Sequence, residues 1–470
     1  MRQMNNVNLE PQDRLISGIG LIYDAVKSTF GPNGNTAILK DSQGNIHITK
    51  DGITVAEYVH SDDPIEAIGI DLVRKAAREA NEISGDGSTT TTILTAAMLK
   101  EGFYMGDRNS FYKECTEIVI PYLREQSTLL KLSSTTIVEN IARLSSNGDA
   151  EITEILSYIF NSLGEEAHIE IEQITEGKTH IEVNPSFLIK NVQYSNAYFF
   201  NKNGILTSIG NKGSVFIFED EIKELKTILE RVGSREEEGV TNKGIPLIIA
   251  HKISNNIKAL LEQNIKAGKL DIVILEFPMH RKYAKDLIED LKYMDTRSVF
   301  YSYDPRTQRL EINANNTMDT HRRIESIKTA ITPTTEPREI EEIEFRMANL
   351  SQKRAIIKLY CSNEVEYKER LDRLEDAINA TRSSLKEGIV LGAGLELLMA
   401  SNSLKISMPL KRALAYPHRL LMLSGVSPSV DEAKSQFIFD PLKTIITALE
   451  KASSLADVVL SSKVAIVQNI

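Results

Sequence analysis

Gly85-Asp86-Gly87-Ser88-Thr89-Thr90-Thr91-Thr92 sets a carboxylate between two glycines, then five hydroxyls, immediately before the apolar run Ile93, Leu94, Ala97 and Met98. The spacing of that run predicts a helix that starts here. At a helix start the N–H groups without an intrahelical acceptor and the positive end of the dipole favour an anion. A carboxylate beside them can hold the Mg²⁺ that neutralises a phosphate. The same residue types are what any well-capped helix start prefers. Alone, the stretch has two readings, a cap and a metal-phosphate site.

Working outward, Thr29-Phe30-Gly31-Pro32-Asn33-Gly34-Asn35 ends an amphipathic helix marked by Leu15, Ile19, Ile22 and Val26, and precedes the strand-like run Ala37 to Leu39. Such a turn can expose successive N–H groups to phosphate. The strand is expected to double back through Asp41-Ser42-Gln43-Gly44 to Ile46-His47-Ile48 and end at Thr49-Lys50-Asp51-Gly52. A hairpin of that kind sets the Gly31 turn and Asp51 at one end, where both can face one ligand. The Walker A pattern is absent from the chain, which argues against a P-loop.

With these segments in hand the chain resembles the group I chaperonins, the GroEL family. The resemblance runs in order along almost the whole chain. Its strongest blocks are Thr29 to Asn35, Ile48 to Ala56, Gly85 to Leu94 and Arg373 to Gly394, the last holding Leu374-Glu375-Asp376-Ala377 with Ala380-Thr381-Arg382, then Gly392-Ala393-Gly394. The family fold it implies is multidomain. A mainly α-helical equatorial ATP-binding domain takes residues 1–128 and 387–470, a small α/β intermediate hinge domain takes 129–183 and 360–386, and an α/β apical substrate-binding domain, 184–359, is inserted between them.

Composition agrees. A chain of 470 residues exceeds one comfortable core. Net charge is −10, from 65 acidic and 55 basic residues without a dense basic cluster, so nucleic acid is not an expected partner. Apolar runs fall short of the roughly 20 residues that cross a bilayer, and Met1 to Asp13 lacks a signal peptide's apolar core, so a cytoplasmic protein is expected, without a membrane partner. Cys115 and Cys361 read as ordinary thiols. Helical spacing at Ile68, Leu72 and Ala76, and at Ile141, Leu144, Ile152, Ile155 and Ile159, gives way after about residue 184 to strand-like runs at Val215–Phe218, Leu247–Ile249 and Ile272–Leu275 alternating with helical segments. A charged helix is expected from Glu339 to Leu350.

The resemblance gives roles to particular side chains. It implies that Asp86 is the Mg²⁺ ligand and that Gly87, Ser88, Thr89 and Thr90 surround the nucleotide phosphates, with Phe30, Gly31 and Pro32 opposite and Gly52 beside them. Thr29, Lys50 and Thr89 match positions that hold K⁺. Asp51 and Asp376 match the carboxylates that orient the attacking water, where phosphoryl transfer needs a positioned nucleophile and neutralised charge. By spacing alone Asp376 is a solvated acid on a helix marked by Leu371, Leu374, Ile378 and Leu385, and Asp51 is half of a common Asp-Gly turn. If the family mechanism holds, Asp376 reaches the site when the hinge closes. Asp440, before Pro441, reads equally as an N-cap and as the family's ribose contact. Gly392, Ala393 and Gly394 read as a nucleotide turn or as close helix packing.

For clients, the resemblance points to Tyr194, Tyr198 and Phe199. Two helical stripes, Leu225, Ile228, Leu229 and Val232, then Ile257, Leu260, Leu261 and Ile265, are either core or capture surface depending on exposure. Three departures stand out. Asn33 and Asn35 lie where the family has basic residues, the Pro428 to Asp440 segment is short and lacks the part that packs on adenine, and the end at Val464 to Ile470 lacks a Gly/Met-rich tail. The chain thus resembles a trimmed chaperonin of a phage or another reduced genome. The expected function is an ATP-dependent chaperonin that binds non-native polypeptides in a homo-oligomeric ring, sevenfold by family, with a co-chaperonin lid among its partners. The alternative is a scaffold that keeps the client surface and no longer hydrolyses ATP.

Overall fold

The computed structural model describes the chain apart from residues 1–5, 10, 41–43, 45, 106–109, 129–134, 147, 184, 195–208, 238–243, 279–281, 333–336 and 468–470. It groups into two compact units, one made of residues 1–165, 171–180 and 358–470, the other of 166–170 and 181–357.

In the first unit four helices, Gln12–Val26, Pro64–Ser84, Ser88–Met105 and Leu442–Ser461, bury one apolar core. Leu15, Ile19, Ile22, Val73, Leu94, Met98, Leu449 and Ala452 meet there, each large side chain contributing about 1.5–3 kcal/mol on burial. The first two helices touch backbone to backbone. A Cβ added at Gly18 would stand 2.1 Å from the Glu66 carbonyl oxygen, and one at Gly69 2.4 Å from that of Leu15. The Pro64–Ser84 helix starts where the Asp63 carboxylate accepts from the N–H groups of Ile65 and Glu66, with proline in its first turn. It stops at Gly85, whose φ of 72° an L side chain resists. The next helix begins three residues on, so two helix ends frame Asp86.

The expected hairpin forms, Ala37–Lys40 pairing antiparallel with Ile46–Thr49 from Ala37 opposite Thr49 to Lys40 opposite Ile46. Unforeseen from the polar N-terminus, Asn6–Leu9 pairs antiparallel with Val464–Val467. The 24-residue helix Glu364–Glu387, capped by Asn363, carries Asp376, and it leads into strand Ile389–Leu391, paired with Phe439–Pro441.

In the second unit, strands Val215–Ile222, Leu247–Ile253 and Val273–Glu276 run parallel, with Gln193–Tyr194 antiparallel at the edge. Helices Leu225–Glu237 and Asn255–Lys266 make the connections. A second, antiparallel sheet orders Phe187–Ile189, Arg309–Asn315, Asp295–Asp304 and Ile209–Gly213. The charged helix runs Pro337–Ser351, and its Arg346 joins Arg323 on the fully buried Asp290. Cys115 and Cys361 are free and buried. No helix among the described residues is long and apolar enough to cross a membrane.

Candidate functional site

The site is built on the helix that begins at Ser88. Its first intrahelical bond runs from the Thr91 N–H to the Gly87 carbonyl, at 2.9 Å, so the N–H groups of Ser88, Thr89 and Thr90 have no intrahelical acceptor. The residue in the capping position is Gly87, which has no side chain to satisfy them. The hydroxyls divide. Those of Thr91, Thr92 and Thr95 donate back to the carbonyls of Gly87, Ser88 and Thr91 and are buried, whereas Thr89 and Thr90 are half-buried at the open end. Gly87, at φ 100°, leaves no room for a side chain, since a Cβ would meet Thr444 Cγ2 at 2.8 Å. Thr444 Oγ1 is itself buried without a hydrogen-bond partner among the described residues.

Opposite lies the Gly31 turn. The Gly34 N–H donates to the Gly31 carbonyl at 2.9 Å, and Gly31 at φ 80° lies so close to Leu421 that a Cβ would stand 2.3 Å from its Cδ2. Asn33 turns to the Ser424 carbonyl, its Nδ2 donating at 3.0 Å. Phe30 is half-buried and Pro32 exposed. Thr29 is buried, its hydroxyl donating to the Val26 carbonyl. Gly52 brings the hairpin end against the helix start, with Thr89 Oγ1 2.1 Å from where a Cβ would be. Lys50, just before, is half-buried and has no ion pair among the described residues.

Asp51 is an N-cap. Its carboxylate accepts from the N–H groups of Ile53 and Thr54 and from the Thr54 hydroxyl, which fixes it at the start of helix Gly52–Glu57. Asp440 is not one. The expected cap is corrected because strand Phe439–Pro441 takes up Asp440 opposite Val390, and the following helix is preceded by Pro441 with no side-chain cap bond. The Asp440 carboxylate instead faces Gly392, where an added Cβ would stand 3.1 Å from Oδ1.

Five aspartates feel one another. Burial and then the Asp51 charge raise the Asp86 carboxyl, against the lowering effect of the bond it accepts from the Gly87 N–H. Burial followed by the charges of Asp86, Asp51 and Asp372 pushes Asp376 well above the carboxylate range. Asp440 is pushed up to about 7 by burial and Asp86. Helix Glu364–Glu387 is held over the Asp86 loop by Asn379, whose Cβ lies 2.2 Å from where Gly85 would carry one. Asp376 is one turn earlier on that face, so this structure already holds it in reach of Asp86 and Asp51.

Among the described residues no group of three or more His, Cys, Asp or Glu side chains is placed to hold a metal by itself. Mg²⁺ does not require such a group, since it keeps waters and binds through one or two carboxylates plus substrate phosphates. Asp86 fits, next to three open N–H groups and in a patch of mutual carboxylate repulsion that a cation relieves.

Residues 22–227 match the TCP-1/cpn60 chaperonin family. Two crystal structures of the chaperonin gp146 from the bacteriophage EL 2 (Pseudomonas aeruginosa), both in presence of ATP-BeFx, are similar over 99% of this chain and 99% of theirs, at 20% identity, with TM-scores of 0.65 and 0.62. The chain thus has a chaperonin-like fold over almost its whole length, and its residues 22–227 match the chaperonin family.

The two apolar stripes proposed for client capture divide by burial. Ile228, Ile257 and Leu261 lie in the core of the second unit, with Leu225, Val232 and Ile265 half-buried against it, which corrects the expectation that Ile257 and Leu261 belong to a surface. Leu229, 49% exposed, and Leu260, 44% exposed, are the outward members. Tyr194 contributes backbone to the sheet edge, and Tyr198 and Phe199 lie outside the described residues.

Four residues at the site escaped sequence reasoning. Asp372 precedes Asp376 by one helical turn, a spacing that the pattern did carry. Asn379, Thr444 and His418 gave no local signal, because only packing brings them to Gly85, Gly87 and Gly394.

Proposed function

We propose that this chain is a chaperonin, an ATP-driven protein-folding machine, with residues 1–128 and 387–470 as nucleotide domain, 129–183 and 360–386 as hinge and 184–359 as client domain. The observation that carries the reading is the convergence of Asp51, Asp86 and Asp376 on a helix start whose N–H groups are open. The N–H groups of Ser88, Thr89 and Thr90 bind phosphate oxygens, and the Gly31 turn closes the other side. Bound Mg²⁺ supplies charge neutralisation at the phosphates, with Asp86 as its protein ligand. Lys50, Thr29 and Thr89 are the residues for K⁺. Asp376 accepts a proton from the attacking water while Asp51, fixed as a cap, orients it. Asp440 and the Gly392–Gly394 turn receive the nucleoside. Leu229 and Leu260 present apolar surface to non-native chains. The ring, its sevenfold symmetry, a lid partner and a place in the cytoplasm of an infected bacterium follow from the chaperonin likeness and belong to the same proposal.

Steady-state ATP turnover with Mg²⁺ and K⁺ tests it, beside Asp376→Ala. The expected result is turnover in the parent and a fall of about 10²-fold or more in the variant with nucleotide binding retained. Binding without turnover in either protein favours the non-hydrolysing scaffold.

A further inference from the structure

The helix Tyr416–Leu423 touches both proposed nucleotide turns, through side chains about one helical turn apart. Near its start, the buried His418 faces the Gly392–Gly394 turn. Its Nδ1 lies 2.9 Å from the Ala393 carbonyl oxygen, and since a carbonyl only accepts, the ring carries its proton on Nδ1. Ala393 sits at φ 55°, a conformation that costs a non-glycine residue energy and persists where surroundings hold it. The next residue, Gly394, is clamped by the same helix, a Cβ there standing 2.7 Å from the His418 backbone nitrogen. One turn further on, Leu421 fills the space beside Gly31, and just past the helix the Ser424 carbonyl accepts from Asn33. The Tyr416 hydroxyl also pairs at 2.6 Å with that of Tyr23, on the helix that runs into the Gly31 turn.

We propose that His418 is a positioning residue, tying the Gly392–Gly394 turn through the Tyr416–Leu423 helix to the Gly31–Gly34 turn so that the two turns are ordered as one element. The consequence for ATP rests on the function proposed above, whereas the mechanical tie does not. Losing the imidazole frees Ala393 from its strained conformation, and the loosened helix start relaxes the seat of Leu421 against Gly31.

The test is hydrogen exchange of the full chain read on peptides covering 29–36 and 390–396, for the parent, His418→Leu, His418→Gln and His418→Asn. Asn presents an N–H close to the position of Nδ1, whereas Gln presents one near Nε2. Leu and Gln are expected to speed exchange in both peptides, and Asn to restore both. Should the His418 variants fold poorly, Leu421→Ala loosens the tie from the Gly31 side and is expected to speed exchange at 390–396 as well as at 29–36. In ATP turnover, His418→Leu should raise KM about three- to tenfold, the size of one buried hydrogen bond, with kcat within about twofold. Faster exchange confined to the mutated side, or rescue by Gln as good as by Asn, overturns the proposal. A parent that binds no ATP removes the nucleotide function while the exchange result still decides the tie.

Discussion

Asp372→Asn removes one charge from a helix face that also carries Asp376. Burial, then the charges of Asp51, Glu375 and Glu369, push the Asp372 carboxyl from its ordinary 3.8 to about 6, against a lowering contribution from Lys368. That rise corresponds to about 3 kcal/mol. Asp372 is only half-buried, so solvent screening brings the usable figure to about 1–2 kcal/mol. The sign follows from linkage. A carboxyl whose folded pKa is raised favours folding while protonated, fully so below pH 3.8, and that contribution is lost as pH rises through about 6. Asparagine cannot ionise. The variant should therefore match the parent near pH 4 and become more stable by about 1–2 kcal/mol at pH 7.5. Urea unfolding of the nucleotide-free protein, scored on its first transition at pH 4.5, 5.5, 6.5 and 7.5, reads the difference directly. A gap that stays constant with pH, or a variant less stable at pH 7.5, refutes the electrostatic account of this face.

Asp86→Asn should leave the fold intact and abolish most of the gain that Mg²⁺ gives to ADP affinity, measured by calorimetry with and without the metal; an unchanged Mg²⁺ effect excludes Asp86 as its ligand. Gly87→Ala places a side chain at φ 100° and 2.8 Å from Thr444 Cγ2, and should lower stability by about 1–3 kcal/mol in urea titration while weakening ADP binding. Leu229→Ser with Leu260→Ser should change stability by no more than about 0.5 kcal/mol yet reduce suppression of aggregation of a denatured test protein. Ile257→Ser, by contrast, should cost about 3 kcal/mol or more, and equal stability in the two cases refutes the division by burial.

The helical frame was legible because its signals are local. Leu15, Ile19, Ile22 and Val26 repeat at helical spacing and indeed form one buried face, and the hairpin could be read from two short apolar runs around Asp41-Ser42-Gln43-Gly44. Asp440 misled because Asp-Pro is a cap pattern by composition, while the pairing of Val390 with Asp440 that keeps it in a strand joins residues about fifty apart in sequence. The client stripes failed differently. Ile257 and Leu260 sit on one helix at equivalent apolar spacing, and only the sheet beneath decides that the first is core and the second surface.

The same limit explains why chemistry at this site could be listed but not ranked from sequence. Asp51, Asp86 and Asp376 come from three segments, and each has an ordinary role as cap, loop or helix-face acid. Their proximity turns three ordinary acids into a mutually repelling group, raising Asp86 and Asp376 together. A group of that kind stores unfavourable energy until a proton or a cation enters it. It follows that docking of the Asp376 helix and binding of a cation at Asp86 must favour each other, by the reciprocity that governs any two linked equilibria. On the proposed function, a cation held at Asp86 would therefore further stabilise the docked position of Asp376 that the structure already shows, and loss of that docking would weaken the cation in return.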